Sequence, residues 1–207
     1  STSLISAADT NDFVVPVGWQ FWDALTELAP QMEDTKFIFV DNGLDGIDNV
    51  QSIVYAQNQG GFLVGYAAAK MSKTGKIGAV GGMDMDTIND FLVGYEAGAK
   101  YANPDIQVSI QYAGDFVDPA KGKENALALY GMGCDYVFAV AGKTGEGVFE
   151  AAKETGNFAI GVDSDQKYIN PDVIICSMIK EVGKSIETAV SNYIDNDAFA
   201  GGTIWQA

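Results

Sequence analysis

Residues 159–180 read AIGVDSDQKYINPDVIICSMIK. One apolar run, with Phe158 in front of it, ends in Asp163, Ser164 and Asp165; a second, opening at Val173, ends in Lys180. Neither run alternates apolar with polar residues. Short, near-continuous apolar runs mark strands buried on both faces, as in a parallel sheet covered by helices. The pair therefore predicts strands over 158–165 and 173–180 that deliver an acid and a base at their carboxyl ends.

The same pattern repeats outward. Comparable runs lie at 13–19, 36–41, 49–56, 76–83, 106–114 and 135–142. Helices are predicted between them, over 20–32, 58–72, 86–102, 119–132, 145–155 and 181–196. Within 86–102, Ile88, Phe91, Leu92, Tyr95 and Ala99 recur at helical spacing. Asp118 followed by Pro119 supplies an N-cap and a first-turn proline, and Gly156 stands where a helix should stop. Strands alternating with helices in units of about 30 residues predict an α/β fold with doubly wound parallel sheet and right-handed crossovers. The chain opens on a polar stretch and closes inside a strand-like run, GGTIWQA, so both ends are expected to be trimmed.

Composition narrows the function. The 207 residues are 47% hydrophobic, which suits one large or two small domains. No apolar run approaches the roughly 18–20 residues of a membrane helix. Acids outnumber bases 28 to 12, for a net charge of −16, so no nucleic-acid partner is expected. Every base is a lysine; arginine and histidine are absent. Without histidine there is no Ser–His or Cys–His nucleophile pair and no His-ligated metal. Without arginine there is no bidentate fork for a carboxylate or phosphate ligand. No metal or cofactor is expected, and the acidity is read as a solubility feature. Cys134 and Cys176 stand outside any metal or redox spacing. They are expected to be buried free thiols, a disulfide being the alternative.

In open parallel α/β sheets, ligands bind beyond the carboxyl ends of the strands. The residues there are Gly18-Trp19-Gln20-Phe21, Asp41-Asn42, Gly81-Gly82-Met83-Asp84, Gly114-Asp115-Phe116, Ala141-Gly142-Lys143-Thr144 and Asp163-Ser164-Asp165. Small residues let backbone approach a ligand, while Trp19, Phe21, Met83 and Phe116 offer apolar faces. The set suits a small, neutral, hydroxylated, planar molecule. Plainer roles stand beside this one. Aromatics at strand ends also serve as core or rim, and Asp41, Asp84, Asp86 or Asp165 could cap the next helix. Lys180 could be a solvated lysine at a helix start, although the helix dipole disfavours a cation there. Two stretches imitate phosphate loops. AGKTGEG (141–147) contains Gly-Lys-Thr, but position 137, where the loop needs glycine, is Val; KIGAVGG (76–82) lacks the G-x-G-x-x-G spacing. Both are read as tight strand-to-helix turns.

Four stretches together, MSKTGKIGAVGGM (71–83), FLVGYEAGAKYANPDIQV (91–108), YAGDFVDPAKGKENA (112–126) and IGVDSDQ followed by SMIK, resemble the basic membrane protein family. These are substrate-binding lipoproteins of ABC importers, typified by the purine nucleoside receptor. The resemblance implies a type I periplasmic-binding-protein fold, in which two lobes close on a ligand in the cleft between them. It places 1–82 with 180–207 in the first lobe and 83–179 in the second. It also implies a stacking role for Phe116, ribose hydroxyls accepted by Asp163 and contacted by Lys180, and close backbone at Gly142. Family members carry a further strand–helix–strand unit ahead of the point where this chain begins, with a second stacking aromatic.

The resemblance and the residues together lead us to expect an extracytoplasmic binding protein, not an enzyme. It would capture a nucleoside, a purine nucleoside foremost, and deliver it to an ABC permease in the membrane. It would act as a monomer whose membrane contact is a lipid anchor absent from this chain. The alternatives are a ligand-sensing regulatory domain of the same fold and a nucleoside-processing enzyme using Asp163 and Asp165 as acid and base.

Overall fold

Parallel pairing runs throughout the computed structural model, which describes residues 2–196 and 199–206. In chain order the elements are α1 (Thr2–Ala8), β1 (Phe13–Val14), α2 (Trp22–Leu28), β2 (Lys36–Val40), β3 (Val50–Tyr55), α3 (Gln57–Met71), β4 (Lys76–Gly81) and α4 (Asp86–Ala102). They continue as β5 (Gln107–Tyr112), α5 (Pro119–Gly131), β6 (Tyr136–Val140), α6 (Glu146–Thr155), β7 (Phe158–Asp163), β8 (Ile174–Ile179), α7 (Val182–Asn196) and β9 (Gly202–Gln206). The run at the chain's end is β9; Ala207, its last residue, lies outside the described residues. Among the described residues no helix is long and apolar enough to cross a membrane.

The chain divides into unit 1 (Ser1–Ala56 with Glu181–Ala207) and unit 2 (Gln57–Lys180). The expected boundary at 82 falls instead after Ala56. The reason is pairing: β4 is hydrogen-bonded between β5 and β6, and α3 packs along α4, so 57–82 go with what comes after them in the chain.

Unit 1 carries a parallel sheet in the order β1-β2-β3-β9. The strand expected over 13–19 shortens to two residues because Pro16 interrupts it and has no N–H for the ladder. The chain still follows β2. Val40 N–H donates to Pro16 O (3.0 Å), Val17 bridges Val40, and Gly18 N–H donates to Val40 O (3.0 Å). The helix expected over 20–32 is broken into α2 flanked by 3-10 turns at Trp19–Phe21 and Ala29–Gln31, with Pro30 inside the second. Leu4, Val14, Leu25, Phe37 and Phe39 pack into one core cluster, and Ile38, Val40, Ile53 and Tyr55 pack with Ala189 of α7 into another. α1 was not expected from its polar surroundings; Leu4 anchors it.

Unit 2 carries the order β5-β4-β6-β7-β8, again all parallel. One core cluster joins Ile77, Ala79, Phe138 and Ile160 to Phe91, Leu92 and Tyr95 of α4. A second joins Val80, Val137 and Ala139 to Leu129 of α5 and Phe149 of α6. Gly61 and Gly65 of α3 lie against the backbone of Phe91 and Tyr95 in α4, Gly94 and Gly98 of α4 lie against that of Asn58 and Phe62 in α3, and a Cβ on any of the four would run into the other helix. At the amino ends of the strands, the Asp135 carboxylate accepts from Ser72 Oγ (2.7 Å), Lys73 N–H (2.7 Å) and Thr74 N–H (3.2 Å). Cys134 and Cys176 are free thiols.

Candidate functional site

Because the strand order of unit 2 is β5-β4-β6-β7-β8, its carboxyl edge can be read residue by residue. Phe116 follows β5, Met83 follows β4, Gly142 follows β6, Asp163 ends β7 and Lys180 follows β8. Neighbouring strands lie about 4.8 Å apart. Five of the seven residues singled out in the sequence therefore occupy successive strand ends of one sheet.

Asp163 and Lys180 meet. Lys180 Nζ lies 3.6 Å from Asp163 Oδ1, and Lys180 N–H donates to the Asp163 carbonyl at 2.9 Å. The lysine side chain is 6% exposed and the aspartate 53%, so the pair has one buried and one open end. A buried ammonium loses hydration worth several kcal/mol. Asp163 compensates on one side, and the Phe91 ring, 5.3 Å from Nζ, on another. At 3.6 Å the pair is longer than the roughly 2.8 Å of a charge-assisted hydrogen bond. Asp163 adopts φ 66°, a left-handed conformation rare for residues other than glycine. The turn beyond it is set by Gln166, whose Oε1 accepts from Val162 N–H (2.8 Å) and whose N–H donates to Ser177 Oγ (3.0 Å). A carboxylate offers two acceptor oxygens and an ammonium three donors, which together match vicinal hydroxyls.

Phe116 lies half-buried on a glycine floor. A Cβ on Gly82 would overlap its ring, and one on Gly142 would come within 3.2 Å of its carbonyl oxygen. Its loop is tied at several points. Asp115 N–H donates to Gly82 O (3.1 Å), Thr144 N–H donates to Phe116 O (3.2 Å), and Asp118 N–H donates to Thr144 Oγ1 (2.9 Å). The Asp115 carboxylate accepts from Val117 N–H (2.8 Å) and Lys121 Nζ (3.2 Å). Those two donors, Val117 first, hold its carboxyl below the usual carboxylate range. Gly114, at φ 72°, makes the turn possible. Nearby, Tyr112 Oη donates to Asn89 Oδ1 (2.6 Å), and Asn89 Nδ2 donates to Asp84 Oδ1 (2.8 Å). Burial, with Asp84 second, pushes the Tyr112 phenol up.

Trp19 and Phe21 belong to unit 1. Trp19 is half exposed in its 3-10 turn, while Phe21 packs partly against the Leu25–Phe37 core. Met83 is exposed beyond β4. Asp118 caps α5 as expected, accepting from Ala120 and Lys121 N–H. Asp84 and Asp86 do not cap α4: Met85 stands at that position, Asp86 is the helix's first residue, and Asp84 engages the Asn89 side chain. Asp165 closes a local turn to Lys167 N–H (3.0 Å). The sequence reading named Thr144 only as part of a strand-end turn and gave Phe91 and Gln166 no role at the site. Phe91 was absorbed into an apolar helical stripe, and no local pattern marks Gln166.

The chain is similar to known proteins over its length. The family model described as ABC transporter substrate-binding protein PnrA-like matches residues 5–207. Basic membrane protein A of Borreliella burgdorferi is 40% identical over 199 residues, covering 94% of this chain and 59% of that protein. The ABC transporter nucleoside-binding protein BmpA of Lactococcus lactis is 40% identical over 205 residues, covering 91% and 58%. The crystal structure of an ABC transporter solute-binding protein from Aeropyrum pernix superposes with a TM-score of 0.91 at 32% identity, covering 99% of this chain and 60% of that one. The chain thus spans about three fifths of the length of the curated relatives it matches.

Proposed function

Because the chain belongs to the PnrA-like family of ABC transporter substrate-binding proteins, we propose that it is the nucleoside-capturing part of an extracytoplasmic receptor, with purine nucleosides as its main ligands. The receptor acts as a monomer, touches the membrane through a lipid anchor, and hands its ligand to a membrane permease. Its chemistry is binding and release, without bond cleavage. A relative whose printed name is nucleoside-binding protein supports the ligand class.

The observation that carries this function is the ion pair at the carboxyl ends of β7 and β8. Asp163 accepts from the ribose hydroxyls and Lys180 donates to them, each charge-assisted bond contributing about 1.5–3 kcal/mol. The base lies on Phe116, contributing about 1–3 kcal/mol by stacking, and Gly142 brings backbone close to the sugar. Met83, exposed beyond β4, adds an apolar contact. An uncharged sugar suits a lysine-only chain better than a phosphorylated one, which would call for arginine forks.

Calorimetric titration with guanosine, adenosine, inosine, cytidine and free ribose tests this. Purine nucleosides are expected to bind most tightly and to be recovered unchanged. Asp163→Ala and Lys180→Ala should each weaken binding at least about tenfold, roughly 1.4 kcal/mol. Wild-type affinity in both variants would refute the site, and cleavage of the nucleoside would refute the function.

A further inference from the structure

The Gly-Lys-Thr triplet that imitates a phosphate loop has a different role in the structure. It forms the turn Gly142–Gly145 after β6, and its threonine, Thr144, is fully buried. Both polar ends of Thr144 are spent on the segment that carries Phe116. Its N–H donates to the Phe116 carbonyl (3.2 Å), and its Oγ1 accepts from Asp118 N–H (2.9 Å). The two bonds bracket residues 116–118. Asp118 in turn caps α5 through Ala120 N–H (3.0 Å) and Lys121 N–H (3.4 Å), and α5 closes on the same turn, since a Cβ on Gly122 would strike the Thr144 carbonyl. On the other side Asp115 N–H is tied to Gly82 O. The Phe116 segment is thus pinned to the end of β4 through Gly82 and to the end of β6 through Thr144.

We propose that Thr144 is a positioning residue that sets the Phe116 platform for the base, which rests on the nucleoside function proposed above. Thr144 grips the backbone of the Phe116 segment, and Asp163 and Lys180 stand on strands it does not bond. Loss of its hydroxyl leaves Asp118 N–H without its acceptor and lets 116–118 shift, which moves the ring under the base. The hydroxyl is the part that matters: serine retains the acceptor, whereas valine keeps the shape and loses it.

The test is a double-mutant cycle with guanosine, read by calorimetry, beside amide hydrogen exchange of the ligand-free protein. Thr144→Val should weaken guanosine about tenfold and speed exchange at Asp118 N–H by a similar factor. Thr144→Ser should restore both to near the wild-type values. In a Phe116→Ala background, Thr144→Val should cost less than about twofold more, because its effect travels through the ring. Full additivity with Phe116→Ala, or unchanged guanosine affinity in Thr144→Val, would overturn the proposal. Should Thr144→Val not fold, Thr144→Ala removes the same oxygen and is judged by the same outcomes. A wild-type protein that binds no nucleoside would defeat the proposed function instead. The exchange data would then decide the pinning alone, and unchanged Asp118 exchange in Thr144→Val would refute it.

Discussion

Asp163 holds its carboxylate at the end of β7 by accepting a backbone conformation, φ 66°, that costs a side-chain-bearing residue about 1 kcal/mol or more. Glycine does not bear that cost. Asp163→Gly and Asp163→Ala both delete the carboxylate, so they should lose nucleoside affinity alike, yet the glycine variant should be the more stable by about 1 kcal/mol. Equal urea midpoints for the two would remove strain from the account. Cys134 offers a second measurement at this scale. Burial first, then the adjacent Asp135, pushes its thiol from 9.0 up to about 11. The unfolded chain releases this proton before the folded one does. Its contribution is therefore complete below pH 9 and is lost as pH rises toward 11. Chemical denaturation across that range should show a falling stability, and Cys134→Ala should flatten the fall; an unchanged slope would contradict the burial. Asp163 and Lys180 were legible as an acid and a base ending two apolar runs. The strained φ was not, because aspartate visits the left-handed conformation more often than most residues yet only occasionally, so its presence does not mark it.

At the scale of elements, the α3–α4 pair rests on backbone contact. Gly61, Gly65, Gly94 and Gly98 recur four apart on each helix, and each faces main-chain atoms across the interface. A flexible side chain could yield to an added methyl; a helix backbone does so only by moving the whole helix. By propensity alone Gly98→Ala would stabilise α4 by about 1 kcal/mol. We expect the opposite sign, a loss of about 1–3 kcal/mol in urea denaturation, since overpacking outweighs propensity. A more stable variant would show that the helices are not in contact there. Helix positions were readable from periodicity and from caps such as Asp118 and Gly156. The close crossing was not singled out, because glycines inside a helix read equally as weak spots. Pro16 likewise shortened β1, where apolar content alone predicted a full strand.

For the whole molecule the dominant long-range term is charge. With 28 acids against 12 bases, the folded chain at neutral pH gathers like charge. Raising NaCl from about 0.01 M to about 1 M shortens the screening length from roughly 30 Å to 3 Å. The thermal midpoint should rise over that range, and a fall would mean that attractive pairs such as Lys123–Glu154 outweigh the repulsion. Fold class was open to sequence reading because burial on both faces leaves a local trace, a near-continuous apolar run, in inner strands such as β2, β4 and β6, whereas the edge strand β5 alternates. The family resemblance likewise rested on contiguous stretches. The place where unit 2 begins was misread at 82, since nothing local tells β4 that its neighbours are β5 and β6. Spatial order is likewise nonlocal: only pairing puts β4 between β5 and β6, and so lines up Phe116, Met83, Gly142, Asp163 and Lys180 along one edge. By itself, then, the sequence determined the kinds of strand, their helices and the acid and base at their ends. Tertiary structure alone decided which strand ends are neighbours and which buried side chains, Thr144 and Phe91 among them, hold the site, because hydrogen bonding between strands and packing between helices join residues far apart in the chain.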